Sequence, residues 1–431
     1  VSVFFRNDSR LTSWVVIGIY LTIFVNSYVF FKTPFEFYIG YIIYILLLPG
    51  LMKNYGVNKN LFYIFSILFI VGLFNIYSGN NTSGQFFKVF VGLFLAYLFY
   101  YYIVVDFKFD IKQLFKWYLK GAYIVSLIGA FQFISYLIGF EPGYHLFYIL
   151  NKWAVISGGN FGIRLNSVFP EPTYFAATIS TAFFVSIYNL FNKEKFYLTN
   201  FQSVIIICVY FLSFSGLGQL GVFLTLIFLG INYGLLRYIV VIAPVFFISF
   251  NFLYNNVDEF KLRYNGVVSM FSGEEFVLGT THGSSYILYN NYIVALKNFS
   301  QNPLFGGGLG SHITAFDKYS LAKNFIVKGF DYNGQDASSM FLRLMSETGL
   351  FGLGIFCVII FKCYVKRNRT YLSYHWLVSN SILIMILLNL FRQGHYFLNG
   401  FPFFVILYYY NSVSYKNYID EQKSLNSKMI D

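Results

Sequence analysis

The chain has 431 residues, of which 57% are hydrophobic and only 11% charged, with a mean hydropathy of +0.59 and a formal net charge of +12. Soluble domains carry about 25% charged residues, so this composition excludes a water-soluble globular protein and reads as a single polytopic membrane domain over residues 1–431. The positive charge calls for no nucleic acid, because basic residues in such chains report topology and attraction to anionic lipid.

A membrane span needs roughly 20 apolar residues. Twelve candidate helices follow in chain order, at 11–31, 36–52, 61–78, 86–105, 114–140, 173–191, 201–216, 219–236, 238–254, 339–361, 374–391 and 400–414. The opening VSVFFRNDSR is polar, and no small-residue cleavage site follows the first apolar run, so that helix is expected to be retained. With Arg6 and Arg10 in the cytoplasm, alternating spans leave eighteen of the thirty Lys and Arg inside, among them Lys108, Lys112, Lys116, Lys120, Lys193, Lys195, Lys366 and Arg367. Six of the other twelve lie in one long loop, which the positive-inside rule largely ignores. Both termini are therefore expected in the cytoplasm. Cys208, Cys357 and Cys363 show neither pairing nor metal spacing, so no disulfide framework, metal or cofactor is expected. The 56 Phe and 39 Tyr suit interfacial and lipid-facing positions.

Two outer segments break the pattern of short connections. Residues 141–172 carry Pro and Gly punctuation that argues against a continuous helix. Residues 255–338 contain His282, His312, Asp317, Asp331 and Asp336 and a helical stretch SSYILYNNYIVALKNF. A connection this long is usually functional or disordered, and it is expected to form a folded cap over the outer face.

Charged residues stand where such a chain should not have them: Arg164 and Glu171 in RLNSVFPEPTYFA, Arg343 and Glu347 in FLRLMSETGLFG, and Arg392 in FRQGH. All flank apolar runs on the outer side. Ionisable groups at membrane depth persist mainly where they face a polar cavity. Pro170 and Pro172 bracket Glu171 and favour a helix start, putting its carboxylate either as a cap or beside Arg164 at a cavity mouth, where it could orient or deprotonate a sugar hydroxyl. Arg343 and Glu347 are spaced i, i+4 and can pair, or the guanidinium can project and bind a phosphate. In NPLFGGGLGSH, Gly307 and Gly308 can seat a tight turn or let backbone N–H groups approach pyrophosphate; the string lacks the Lys-Ser/Thr ending of a nucleotide loop. His312 and His282 are candidate bases or ligands, His145 and His395 have weaker context, and Arg263 and Asp336 are candidate substrate contacts.

On these residues the chain resembles the O-antigen polymerases of the Wzy type, within the wider group that includes the O-antigen ligases. The resemblance covers most of the length and rests on the order and spacing of RLNSVFPEPTYFA, SFSGLGQLG, NPLFGGGLGS and ETGLFGLG rather than on any one motif. It implies an all-α polytopic glycosyltransferase, GT-C-like, in the bacterial inner membrane with its active face in the periplasm. Such enzymes join oligosaccharide repeat units carried on undecaprenyl diphosphate, without nucleotide sugar or metal. Arginines would stabilise charge on the departing diphosphate, a role assigned to Arg164, Arg343 and Arg392. Glu347, Arg263, Asp336, Gly307 and Gly308 are assigned to substrate binding. A chain-length regulator and a flippase are implied partners.

One departure bears on the choice within the group. Ligases show a histidine ahead of the span that begins near 340, and aligning on Gly349 and Gly352 puts Ser338 and Ser339 there. This favours polymerase and leaves Glu171, Asp336 and His312 as candidate bases. A flippase would distribute charge through the midplane of two related halves, whereas here the charge gathers on one face. A membrane acyltransferase would want a histidine motif at the spans, and His375 is isolated on the cytoplasmic side.

Overall fold

The computed structural model describes residues 9–31, 36–56, 58–158, 162–235, 283–321, 332–368 and 373–428, together with residue 370 and short pieces of 247–268. The chain is an all-α multi-pass membrane protein. Its helices are α1 (Ser9–Phe24), α2 (Ile39–Tyr55), α3 (Lys59–Tyr77), α4 (Ser83–Asp106), α5 (Ile111–Leu137), the single turn α6 (Glu141–Tyr144), α7 (Pro172–Phe191), α8 (Asn200–Leu212), α9 (Gly216–Tyr233), α10 (Gly283–Gln301), α11 (His312–Tyr319), α12 (Met340–Lys362), α13 (His375–Arg392) and α14 (Phe401–Lys428). Between α6 and α7, Ile156–Ser157 (β1) pairs antiparallel with Ile163–Arg164 (β2).

Among the described residues seven helices are long and apolar enough to cross a membrane: α3, α4, α5, α7, α9, α12 and α13. Shorter apolar helices supply further members, including α2, α8 and residues Trp14–Phe24 of α1. Eleven of the twelve expected spans coincide with a helix; the remaining one, at 238–254, falls largely outside the described residues. Local signals set several starts: Asn58, Thr82 and Asp110 each accept a hydrogen bond from a backbone N–H of the following first turn, and Thr199 with Gln202 forms a capping box that opens α8.

Helices α7 and α13 lie deepest, with 72% and 78% of their spans buried, whereas α3 is largely lipid-facing at 17%. They pack on each other and α7 also packs on α8 and α9. Polar side chains are carried inside this pair, where Thr181 donates from Oγ1 to the Ser381 carbonyl at 3.2 Å. Small and hydroxyl-bearing residues serve this purpose in membranes, because lipid offers helices no hydrophobic drive to associate. Around them runs an aromatic core in which Tyr118, Phe169, Phe175, Phe183 and Phe404 are fully buried.

Strict alternation of the helices places the starts of α2, α4, α7 and α12 and the ends of α5 and α13 at one end of the bundle. The opposite end carries the α4–α5 and α12–α13 connections, with Lys108, Lys112, Lys366 and Arg367. Over the first end lie α10 and α11, which pack on each other and on α12.

Candidate functional site

At that first end a recess of about 60 Å³ opens, lined by Arg343, Asp336, His395, Lys88, Glu36 and Tyr38 among others. A smaller one of about 10 Å³ adjoins it, lined by Lys152, Tyr174, Asn26 and Asn399, and the two share Tyr38, His395 and Leu398. Each polar group arrives from the start of a helix or from a connection, so the bundle converges its helix ends on this point.

Arg343 occupies the first turn of α12, which Ser339 caps by accepting from the Leu342 N–H. Its guanidinium is 5% exposed yet lines the larger recess. Nε donates to Glu347 Oε1 at 3.0 Å, Nη1 donates to the Gly394 carbonyl at 2.7 Å, and the group lies over the Tyr396 ring at 4.4 Å. Among the described residues nothing in the protein accepts from Nη2. The i, i+4 pair is therefore made, with Glu347 fixing the side chain from behind.

Asp336 is 9% exposed and faces His395 with Oδ2 3.0 Å from Nε2. Its Oδ1 accepts from the Ser338 N–H at 2.9 Å. Burial alone would raise the carboxyl, but the charge and hydrogen bond of His395, the Ser338 amide and the charge of Arg343 outweigh it and hold the group down at about 2. The same His395 Nε2 lies 3.0 Å from Tyr174 Oη on α7. Close approach of two segments makes this possible: a Cβ at Gly394 would fall on the Asp336 carbonyl oxygen.

Two lysines complete the cationic lining. Lys88, in the second turn of α4, donates to Gln335 Oε1 at 2.9 Å. Lys152 bonds Glu36 Oε2 at 2.6 Å and Tyr38 Oη at 2.8 Å, and Tyr38 also bonds Glu36. Burial pushes the Glu36 carboxyl up, but the hydrogen bonds from Lys152 and Tyr38 and the charges of Lys152 and His395 bring it below its ordinary value.

The structure relocates several groups singled out from the sequence. His312 is fully buried in a closed chain: Asn298 Nδ2 donates to Ser346 Oγ, Ser346 lies 3.3 Å from His312 Nδ1, and His312 Nε2 lies 3.0 Å from Asn291 Oδ1. Since Ser346 Oγ already accepts from Asn298, its own proton goes to Nδ1, and Nε2–H goes to Asn291. Burial first, then the nearby Arg343 charge, holds the imidazole neutral, down at about 3. Both nitrogens are committed, so His312 does not stand ready as a base.

Gly307 and Gly308 likewise spend their N–H groups, on the Ser346 and Glu347 carbonyls at 3.0 and 2.9 Å. These carbonyls are freed where α12 kinks at Gly349, which has φ +61°. The glycine run is thus a turn seated on a broken helix rather than a pyrophosphate cradle. Glu171 is the N-cap residue of α7, but it is exposed, makes no side-chain cap bond and accepts from Thr173 Oγ1 at 3.0 Å. Arg164 lies on β2 opposite Ile156, and Arg392 ends α13; neither lines the recesses, although Pro170 and Tyr174 beside Glu171 do. Of the three arginines expected to converge, Arg343 alone lines the larger recess, and Lys88 supplies the second cation there. Arg263 and His282 lie outside the described residues. Among the described residues no cluster of His, Cys, Asp and Glu could hold a metal ion.

Residues 201–357 match the O-antigen ligase family. The matched stretch runs from α8 through α9, α10 and α11 into α12, and so contains Gly307, Gly308, His312, Asp336, Arg343 and Glu347. It supports placement in the ligase and polymerase group without distinguishing the two. Comparison with curated proteins gives no match. His395, Lys88, Lys152 and Tyr174 enter the recesses from outside the matched stretch. Sequence reading passed over Lys88, a single charge inside an apolar run, and Lys152, in a Pro- and Gly-punctuated loop, and gave His395 only weak context because it carries no motif.

Proposed function

We propose that this protein is a surface-polysaccharide polymerase of the O-antigen type, joining undecaprenyl-diphosphate-linked repeat units by glycosyl transfer at the periplasmic face of the bacterial inner membrane. The observation that carries this reading is the recess itself, where Arg343 and Lys88 offer positive charge beside the Asp336–His395 pair at the end of the bundle opposite the lysine-rich connections. A diphosphate leaving group develops charge as the glycosidic bond breaks, and fixed cations in a site largely shielded from water stabilise it most. Glu347 and the Gly394 carbonyl hold the Arg343 guanidinium so that it costs little reorganisation. The family match over 201–357 supports an enzyme acting on lipid-linked glycan. A chain-length regulator and a flippase would act with it.

Ligation is the second reading, and the name of the matching family favours it. The position that holds histidine in ligases holds Ser338 and Ser339 here. Ser339 is occupied structurally, capping α12 and donating to the Leu390 carbonyl at 2.6 Å. Deleting the gene and displaying lipopolysaccharide on a gel separates the readings. Core bearing one repeat unit means polymerase, and bare core means ligase. Complementation with Arg343→Ala should leave the single-repeat band without a ladder.

A further inference from the structure

We propose that His395 takes the proton from the attacking hydroxyl and that Asp336 positions it. The inference rests on the polymerase reading and deepens it. His395 is the polar side chain, besides the Tyr38 phenol, that belongs to both recesses. The larger carries Arg343 and Lys88, cations that suit a diphosphate; the smaller carries Lys152 beside Asn26, Asn399 and the Tyr174 phenol, hydrogen-bonding groups of the kind that contact a sugar hydroxyl.

The imidazole is set for this work by its partners. Asp336, held ionised, only accepts, so the His395 nitrogen 3.0 Å away carries the hydrogen, which Tyr174 Oη shares at 3.0 Å. That fixes the tautomer and leaves the Nδ1 lone pair on the opposite edge of the ring. Nδ1 has no protein partner among the described residues, and it is not a buried atom. His312, by contrast, has both nitrogens engaged. Two carboxylates, Asp336 and Glu36, and three cations, Arg343, Lys88 and Lys152, line the recesses around the ring, with Tyr38 and Tyr174 as the phenols.

In the step, the acceptor hydroxyl gives its proton to His395 Nδ1 as its oxygen bonds the anomeric carbon. The anomeric carbon–oxygen bond to the diphosphate breaks with its electron pair, and the undecaprenyl diphosphate leaves against Arg343 and Lys88. His395 then returns the proton to water.

The full-length protein, purified in lipid nanodiscs, is given lipid-linked repeat units extracted from a host lacking the gene, and polymer formation is followed over time. General-base loss is worth about 10²–10⁴-fold, so His395→Ala should lower kcat at least about a hundredfold with little change in KM, and added imidazole should restore part of it. His395→Gln, which keeps one hydrogen bond but has no basic nitrogen, should show only residual activity. Asp336→Asn should fall between. Wild-type turnover in His395→Ala while Arg343→Ala is dead overturns the assignment and leaves the polymerase reading standing. Loss without imidazole rescue and with KM raised shows a structural role and overturns it too. A wild type that builds no polymer overturns the polymerase reading and the assignment with it.

Discussion

Arg343 is the residue on which the site turns, and its burial depends on Glu347. Removing one partner of a buried ion pair leaves the other uncompensated at a cost of about 3 kcal/mol or more, so Glu347→Ala should destabilise the protein by that amount and Glu347→Gln by less, as read from thermal unfolding in detergent. Gly394→Ala should break the site without touching a charge, because the new Cβ displaces Asp336 from the segment that carries His395; the expected result is loss of the polysaccharide ladder with normal membrane insertion. His312 makes a pH prediction. Its folded value, about 3, lies below the ordinary histidine value near 6.5, so the unfolded chain takes up a proton in acid that the folded chain refuses. Stability should be unaffected above that value and fall as pH drops from about 6.5 towards 3; the unfolding temperature of His312→Gln should lose this slope between pH 7 and 5. At this scale the sequence was half legible. The i, i+4 spacing of Arg343 and Glu347 announced their contact, whereas nothing in the spacing of His312 showed Asn291 and Asn298 closing around it. Lys88 and His395 carry no local signal; the folding of distant segments alone brings them together.

Helix α12 shows how an element shapes the site. At Gly349 the backbone turns to φ +61° and ψ −158°, and the Leu350 and Phe351 N–H groups bond the Pro303 and Leu304 carbonyls instead of their own helix. The glycine run then follows the broken turn, with Gly306 against the Glu347–Thr348 peptide. Only glycine is at ease in this conformation. Gly349→Ala should cost about 2 kcal/mol from backbone strain alone, and more from the clash with the Leu304 carbonyl, measurable as lowered yield and unfolding temperature. Apolar runs of the right length revealed where helices lie, and ETGLFGLG stood out as one of the stretches that carry the family resemblance. That its first glycine breaks the helix could not be read, because a kink depends on what docks into it. The span at 340–362 therefore holds its two site residues on the short piece before the kink, joined to the cap by hydrogen bonds rather than by sequence proximity.

On the scale of the whole molecule, charge separates the two ends of the bundle. Lys108, Lys112, Lys116 and Lys120 stand at one end and the Arg343–Asp336–His395 recess at the other, in keeping with a cytoplasmic lysine end and a periplasmic site. In a cysteine-free background, Tyr148→Cys should react with a membrane-impermeant maleimide in intact spheroplasts and Lys193→Cys should react only after lysis; both side chains are exposed, and they lie towards opposite ends. The order of the apolar helices was legible because hydropathy acts along the chain, while the identity of the cations in the recess was not, since that depends on packing across it. In the proposed function Arg343 serves chain growth, which is tested most directly by the lipopolysaccharide gel of a gene-deleted host complemented with wild type or Arg343→Ala, with protein levels matched by immunoblot. Wild type should give a full ladder and Arg343→Ala core carrying a single repeat. A full ladder with Arg343→Ala, or bare core in the deletion host, would contradict it.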